Sequence, residues 1–210
     1  MVNKSNISAF LEKNPDLFKE MGNIGMGHAC TALSHTTGIK VNRSIPSTWT
    51  LTKQEAADYL DLFEGGSIGV MLSLHEDIAG SMVHIISLPF ASTLSEIFFK
   101  KSINTFDDID EMSLSIVQEM TNITTAAFVN AISSMTGLFI DISTPNFCVE
   151  LKKEVLANAP EKMVVVENRF LVDMGSVSSE LIFMPHEGSL SLIAERLQQR
   201  YEIKMLEGLE

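Results

Sequence analysis

An internal repeat constrains this chain more than any other feature of its sequence. Residues 16–46, DLFKEMGNIGMGHACTALSHTTGIKVNRSIP, align without a gap with residues 115–145, SIVQEMTNITTAAFVNAISSMTGLFIDISTP, at an offset of 99. The ten identical positions are Glu20/Glu119, Met21/Met120, Asn23/Asn122, Ile24/Ile123, Ala32/Ala131, Ser34/Ser133, Thr37/Thr136, Gly38/Gly137, Ser44/Ser143 and Pro46/Pro145. A repeat of this length predicts two copies of one supersecondary unit that share a core.

The likeness resumes near the end of each copy, where LPFASTLSEIFF from Leu88 resembles MPHEGSLSLIAERL from Met184. Each copy is predicted to form a helix, a short strand ending near the proline, a strand hairpin and a closing helix. The predicted hairpin strands are IGVMLSL with SMVHIISL, and RFLVDMGS with SSELIFM. We therefore expect one α+β domain with pseudo-twofold symmetry, built of repeats at about 10–102 and 103–205, with both repeated helices packed on a largely antiparallel sheet.

Composition excludes several classes of function. With 45% hydrophobic residues, the 210-residue chain can form a substantial core, whereas its formal net charge of -12 would repel a nucleic acid. No basic leader and no run of about 18 to 20 apolar residues is present, so we expect a cytoplasmic protein that does not enter a membrane. Cys30 and Cys148 lack metal-type spacing and are interpreted as small hydrophobic residues.

The repeated segment is predicted to be helical in both copies. Asn14 followed by Pro15 favours a helix start in the first copy, and Asp108 with Glu111 resembles a capping box in the second. One side of each helix is apolar and is expected to be buried. Its members are Leu17, Phe18, Met21, Ile24, Gly25, His28 and Ala29, and then Ile116, Val117, Met120, Ile123, Thr124, Ala127 and Phe128.

The other side of each helix carries a line of polar residues. Asp16, Glu20 and Asn23 form what we call the first arc. Their counterparts Ser115, Glu119 and Asn122 form the second arc. Small residues, Gly27 and Ala126, follow the arcs and leave room for another molecule. One such arc would usually be a solvated face, but two copies with glutamate and asparagine at the same spacing favour a functional role.

The glycines of EMGNIGMGH raise the alternative of a phosphate-binding loop. The second copy reads EMTNITTAA, so Gly22, Gly25 and Gly27 become Thr121, Thr124 and Ala126. Threonine and alanine do not readily adopt the positive φ angles that such a loop requires. The segment also lacks the lysine and serine or threonine of a P-loop. A helix with Gly25 on the buried side, where it permits close packing, is therefore the favoured interpretation.

Each repeated segment fits the pattern Asp/Ser-x3-Glu-x2-Asn followed by 22 residues and a proline. This pattern resembles the signature of the CheC-type chemotaxis phosphatases, the family that includes CheX and FliY. Two signatures without a flagellar-switch domain resemble the CheC branch most, and RFLVDMGSVSSELIFMPHEGSLSLIAERL resembles a CheC ending. The sites implied by the resemblance are Asp16, Glu20, Asn23 and Pro46, and Ser115, Glu119, Asn122 and Pro145.

The resemblance implies an enzyme that removes the phosphoryl group from the aspartyl phosphate of the response regulator CheY and so resets the chemotaxis signal. An acyl phosphate is already activated, so the catalyst needs to position a water molecule. Asn23 and Asn122 offer an acceptor and donors but no exchangeable proton near neutral pH, which suits orienting that water. By the resemblance, Glu20 and Glu119 engage a lysine of the regulator, and the other members of each site support them.

The resemblance implies no cofactor of the protein's own, because the Mg²⁺ ion is held by the phosphorylated regulator. It also implies the receptor deamidase CheD as a further partner, and we expect a monomer. Two alternatives stay open. The same faces could dock CheY, CheD or a flagellar-switch protein without useful turnover, or the first glycine cluster could bind a nucleotide or a small phosphate.

Overall fold

The computed structural model describes residues 15–43, 47–63, 65–157, 159–172 and 175–207. Within these ranges the chain forms six α-helices, a 3-10 helix at Phe106–Asp108 and eight strands. The helices are α1 (Pro15–Thr37), α2 (Lys53–Asp61), α3 (Leu88–Phe99), α4 (Glu111–Thr136), α5 (Leu151–Ala157) and α6 (Glu187–Glu207). The strands are β1 (Asn42–Arg43), β2 (Ser47–Thr52), β3 (Ser67–Glu76), β4 (Gly80–Ser87), β5 (Ile140–Ile142), β6 (Asn146–Cys148), β7 (Lys162–Val172) and β8 (Gly175–Pro185).

The order of these elements repeats along the chain. From α1 to α3 the chain forms a helix, two short strands, a helix, a strand hairpin and a helix, and the same order recurs from α4 to α6. The duplicated segment therefore begins with α1 in the first half and with α4 in the second. The predicted boundary between the repeats, at about residue 102, falls in the connection between α3 and α4.

The strands form one antiparallel sheet in which the two halves exchange their short strands. β1 and β2 pair with β7 of the second half, and β5 and β6 pair with β3 of the first half. The two hairpins meet through β4 and β8, where His84 lies opposite Leu181. Because each half completes the sheet of the other, the halves form one interlocked unit.

Two hydrophobic cores lie on opposite faces of the sheet. On β4, Met82 and Ile86 belong to the core shared with α1, α3, α4 and α6, whereas Val83 and Ile85 belong to the core shared with α2 and α5. This alternation is expected for a strand that is covered on both faces. α1 and α4 also pack against each other. The structure confirms the predicted α+β class, with a largely antiparallel sheet and both repeated helices packed on it.

Both repeated helices end at the same Thr–Gly pair. Gly38 and Gly137 adopt left-handed backbone conformations with φ of 70° and 72°, which glycine reaches without steric cost. Their N–H groups donate to carbonyls four residues earlier, at 3.0 Å and 2.8 Å. The hydroxyls of Thr37 and Thr136 likewise donate to carbonyls four residues earlier. These identities between the copies are therefore explained by helix termination.

Two details predicted from the sequence are wrong. The N-cap of α4 is Asp110, because the carboxylate of Asp108 instead accepts hydrogen bonds from the backbone of Asn104 and Thr105. β7 ends at Val172 and β8 begins at Gly175, so the predicted strand RFLVDMGS, residues 169–176, includes parts of both strands. Glu167 and Asn168, just before this segment, also lie inside β7, where they pair with Glu180 and Ser179 of β8.

Candidate functional site

The start of α4 is held by a network of hydrogen bonds around its N-cap. Asp110 Oδ1 accepts from the backbone N–H and the hydroxyl of Ser113, at 2.9 Å and 2.7 Å. Lys101 Nζ donates to Asp110 Oδ2 at 2.9 Å and to the carbonyl of Asp108 at 2.7 Å. The Lys101 hydrogen bond, followed by those from Ser113, holds the pKa of Asp110 below its usual range. The first turn of α4 is thus fixed before the second arc begins.

The second arc lies on the solvent side of α4. Ser115 and Glu119 are exposed, and Asn122 is partly buried. The opposite side of the helix packs into the core through residues that include Val117 and Met120. Spacings of four and three residues place the three arc side chains along one stripe of the helix. The arc therefore offers a hydroxyl, a carboxylate and an amide to an approaching molecule.

Pro145 is brought beside the second arc by a hydrogen bond. Its carbonyl accepts from Gln118 Nε2 at 2.6 Å, and Pro145 itself is buried. The preceding loop is tied to β3, where Ser143 N–H donates to the Ser73 carbonyl at 2.9 Å. Because Gln118 directly precedes Glu119, the proline backbone lies next to the arc. Sequence reasoning missed Gln118; the signal available was its place beside the repeated glutamate, although the first copy has a lysine there.

The first arc is described in part. Glu20 is exposed and Asn23 is partly buried, as are Glu119 and Asn122 at the matching positions of α4. Asp16 lies in α1, but its side chain is outside the described part of the structure. Pro46 also lies outside the described residues. The two glutamates and the two asparagines thus share their burial class as well as their register.

The glycine-rich segment of the first copy is continuous α-helix. Residues 15–37 form α1 without interruption, so the segment is not a phosphate-binding loop. Gly25 is buried, and a Cβ placed on it would lie 2.5 Å from Cδ2 of Phe128 on α4. The expected close packing at Gly25 is confirmed. One expectation about this helix is wrong, since His28 is exposed.

A buried hydrogen bond joins α4 to the centre of the sheet. His84 Nε2 lies 2.7 Å from Thr125 Oγ1, and both side chains are buried. Burial lowers the pKa of His84 to about 3, so its imidazole is neutral near pH 7. The residue of the first copy that corresponds to Thr125 is Met26, which is buried in the core. The two helices are therefore anchored by different chemistry beneath similar outer faces.

A groove elsewhere on the molecule does not contain the arcs. It has a volume of about 610 Å³ and is lined by residues of β3, β6 and α5, including Cys148 and Lys152. It lies on the side of the sheet covered by α2 and α5, whereas the arcs are on α1 and α4. Burial raises the pKa of the Cys148 thiol to about 11, so the thiol stays protonated near neutral pH. This agrees with a small hydrophobic role for Cys148.

Two further observations concern the described ranges alone. No group of three or more His, Cys, Asp and Glu side chains is placed so that it could hold a metal ion. None of the helices in these ranges is both long and apolar enough to cross a bilayer. The chemistry available at the arcs is thus that of exposed carboxylates, amides and a hydroxyl.

Comparison with known proteins shows where these features occur elsewhere. A sequence model of the CheC-like family matches residues 16–48 and 112–149, the two segments that contain the arcs. The CheY-P phosphatase CheC of Bacillus subtilis (strain 168) is 28% identical over 169 residues, which are 77% of this chain and 79% of that protein. The flagellar motor switch phosphatase FliY of the same organism is 25% identical over 79% of this chain, but over 44% of its own length.

The fold is also that of a solved relative. The crystal structure of Thermotoga maritima FliY superposes with a TM-score of 0.74 at 20% sequence identity, covering 90% of this chain and 97% of that chain. The family signature, the two sequence relatives and this shared fold all agree with the resemblance that the duplicated pattern indicated. Both repeated segments of the chain thus match the CheC-like family model, and its fold is that of the FliY structure.

Proposed function

We propose that the protein is a phosphatase for the aspartyl phosphate of a CheY-type response regulator, with one site at each arc. The proposal rests on the positions that are identical in the two copies. Some of them have a clear structural role, and others do not. Thr37 and Gly38, with their counterparts, terminate the helices, and Met21 and Met120 fill the core. Glu20 and Glu119 are exposed and do neither. The identity of these two exposed residues supports a functional role for them.

The proposed reaction is the hydrolysis of an acyl phosphate. A water oxygen forms a new bond to phosphorus while the bond between phosphorus and the aspartyl oxygen breaks, and the aspartate leaves as a carboxylate. The water proton passes to the phosphate product or to solvent. Since the leaving group is already good, the main requirement is a water held in line with the breaking bond.

Asn23 and Asn122 are proposed to hold that water. Each lies partly buried on a rigid helix, so its amide is presented in a restricted geometry. An amide carbonyl accepts a hydrogen bond from the water, and the amide nitrogen can donate to a phosphoryl oxygen. Neither step requires a change of protonation near neutral pH. The proposed role is therefore orientation and not general-base catalysis.

Glu20 and Glu119 are proposed to dock the regulator by pairing with a lysine beside its phosphoaspartate. Each carboxylate is exposed and lies one helical turn before the asparagine on the same face. An ion pair between the regulator's lysine and this glutamate, one helical turn from the asparagine, would fix the orientation of the helix relative to the phosphoryl group. Ser115 and Pro145, with Asp16 and Pro46 in the first site, are proposed as supporting residues, and Mg²⁺ as a ligand of the regulator alone.

The experiment is to follow the decay of a phosphorylated CheY-type regulator with the wild-type protein and with the Asn23→Ala/Asn122→Ala variant. We expect the wild type to shorten the phosphate lifetime and the double variant to lose about 10²-fold in catalysed rate. The matched control is Asn130→Ala, since Asn130 is an exposed asparagine of α4 outside the arc. Equal acceleration by the wild type and the double variant would contradict the proposal.

The second candidate is an adaptor that docks CheY, CheD or a flagellar-switch protein through the same faces. It is favoured by the exposure of the glutamates, which a docking surface also needs. The adaptor predicts saturable binding of the phosphorylated regulator while its phosphate lifetime stays unchanged. Measuring binding and lifetime in one titration separates the two candidates.

A further inference from the structure

An exposed methionine extends the second arc toward the start of α4. The side chain of Met112 is 56% exposed, although methionine is a residue type that proteins usually bury. Met112 lies three residues before Ser115 and seven before Glu119, so all three project from the same side of the helix. An apolar side chain therefore stands at one end of a row of polar groups.

The position of Met112 is fixed by the same network that caps the helix. It lies between the N-cap Asp110 and Ser113, which are hydrogen-bonded to each other through two contacts. Lys101 braces Asp110 from the preceding loop. The backbone that carries Met112 is thus ordered without a partner, so placing its side chain in an interface would need little further ordering of the chain.

The offset that relates the two copies places Lys13 opposite Met112, and Lys13 lies outside the described residues. A long charged residue and an apolar residue therefore occupy equivalent places in the two sequences. Exposure of Met112 also removes core packing as the reason for its presence.

We propose that Met112 is an apolar anchor of the second site, which packs against an apolar side chain of the regulator bordering its phosphoaspartate. This inference rests on the proposed function and adds a determinant of affinity to it. Methionine suits the role because its flexible, polarisable side chain adapts to a partner surface and is enriched in protein interfaces. Met112 does not reach the reacting atoms in this proposal, so it acts on binding and leaves the chemical step unchanged.

The test isolates the second site with Asn23→Ala and then adds Met112→Gln, which keeps the side-chain length and a good helix propensity. We expect KM for the phosphorylated regulator to rise about fivefold to tenfold while kcat stays the same, because apolar contact area is lost on binding alone. Leu62→Gln is the matched control, since Leu62 is 76% exposed on the other side of the sheet. An unchanged KM, or a fall in kcat at constant KM, would overturn the inference.

A binding titration tests the role of Met112 even if the protein proves not to be a phosphatase. If the wild-type protein fails to shorten the phosphate lifetime, the catalytic proposal fails, and the regulator activated with beryllofluoride is titrated instead. Met112→Gln is then expected to raise Kd by the same factor relative to Leu62→Gln. Equal Kd values for the two variants would overturn the role of Met112, whatever the outcome for catalysis.

Discussion

The two repeated helices have similar outer faces and different inner faces. On the outside, Glu20 and Glu119 are the same residue with the same exposure. On the inside, Gly25 of α1 lies against Phe128 of α4, whereas the exchanged positions in the repeat carry Thr124 and Ala29. The contact between the helices has therefore diverged by exchanging large and small residues. The exposed glutamates stay identical while this buried contact has diverged, which supports our proposal that Glu20 and Glu119 serve a purpose other than folding.

The largest expected effect comes from making the inner faces alike. Gly25→Thr gives α1 the residue of the second copy and forces its Cβ into the space of the Phe128 ring, 2.5 Å away. We expect a loss of about 3 kcal/mol in the free energy of unfolding, as in other overpacked cores. Urea denaturation followed by circular dichroism measures it.

The matching exchange on α4 provides the control. Phe128→Ala alone should cost about 3 to 5 kcal/mol through the cavity that it leaves. In the double variant the threonine fills part of that space, so the combined loss should be smaller than the sum by about 2 kcal/mol. If the loss of unfolding free energy in the double variant equals the sum of the two single losses, residues 25 and 128 do not compete for the same space.

The next effect concerns the buried hydrogen bond between His84 and Thr125 of the second helix, at whose matching position the first helix carries Met26. His84 is buried against Thr125 with its pKa lowered to about 3, while an unfolded chain binds the proton near 6.5. Below pH 6.5 the unfolded state therefore takes up a proton that the folded state does not. Stability is lost as the pH falls toward 3, by about 1.4 kcal/mol per pH unit.

His84→Gln removes the titrating group but keeps a partner for Thr125. From pH 7 to pH 5, the wild type should lose about 2 kcal/mol more unfolding free energy than the variant. The difference between the two proteins cancels the titration of other groups. Parallel stability curves would mean that His84 does not stay neutral in the folded protein.

A smaller effect is expected from the charges of the outer faces. Glu20→Gln together with Glu119→Gln keeps side-chain size and removes the proposed partners of the regulator's lysine. We expect KM to rise about tenfold and to depend less on salt concentration, because the lost interaction is electrostatic. Asp58→Asn on α2 is the matched control, since it removes an exposed charge far from the arcs. If its effect on KM equals that of the double variant, net charge rather than docking is responsible.

Much of this fold could be predicted because each residue of one copy can be compared with its counterpart in the other copy. The helix at EMGNIGMGH follows from the threonines that replace its glycines, and the exposure of Glu20 follows from periodicity. His28 was mispredicted because periodicity locates the apolar stripe of α1 only approximately. Which edge of that stripe is buried depends on how α4 packs against it. The buried residues of α1 include Gly22 and Met26, which places the covered edge on the side away from His28.

Pairing between distant segments was beyond the sequence. The short strands of each half pair with the hairpin of the other half, and nothing local distinguishes that exchange from pairing within a half. The hydrogen bond from Gln118 to the Pro145 carbonyl depends on the same long-range arrangement. The residues of the arcs could be named from sequence, but the groups that hold them in place could not.

The most direct test of the central claim measures stability and activity in the same variant. For Asn23→Ala/Asn122→Ala we predict a free energy of unfolding within about 1 kcal/mol of the wild type, since both residues lie on partly exposed helix positions. In the same preparation, the acceleration of phosphate release from the regulator should fall about 10²-fold. A variant that keeps full acceleration, or loses activity only because it unfolds, would contradict the claim that the repeated faces are kept for catalysis.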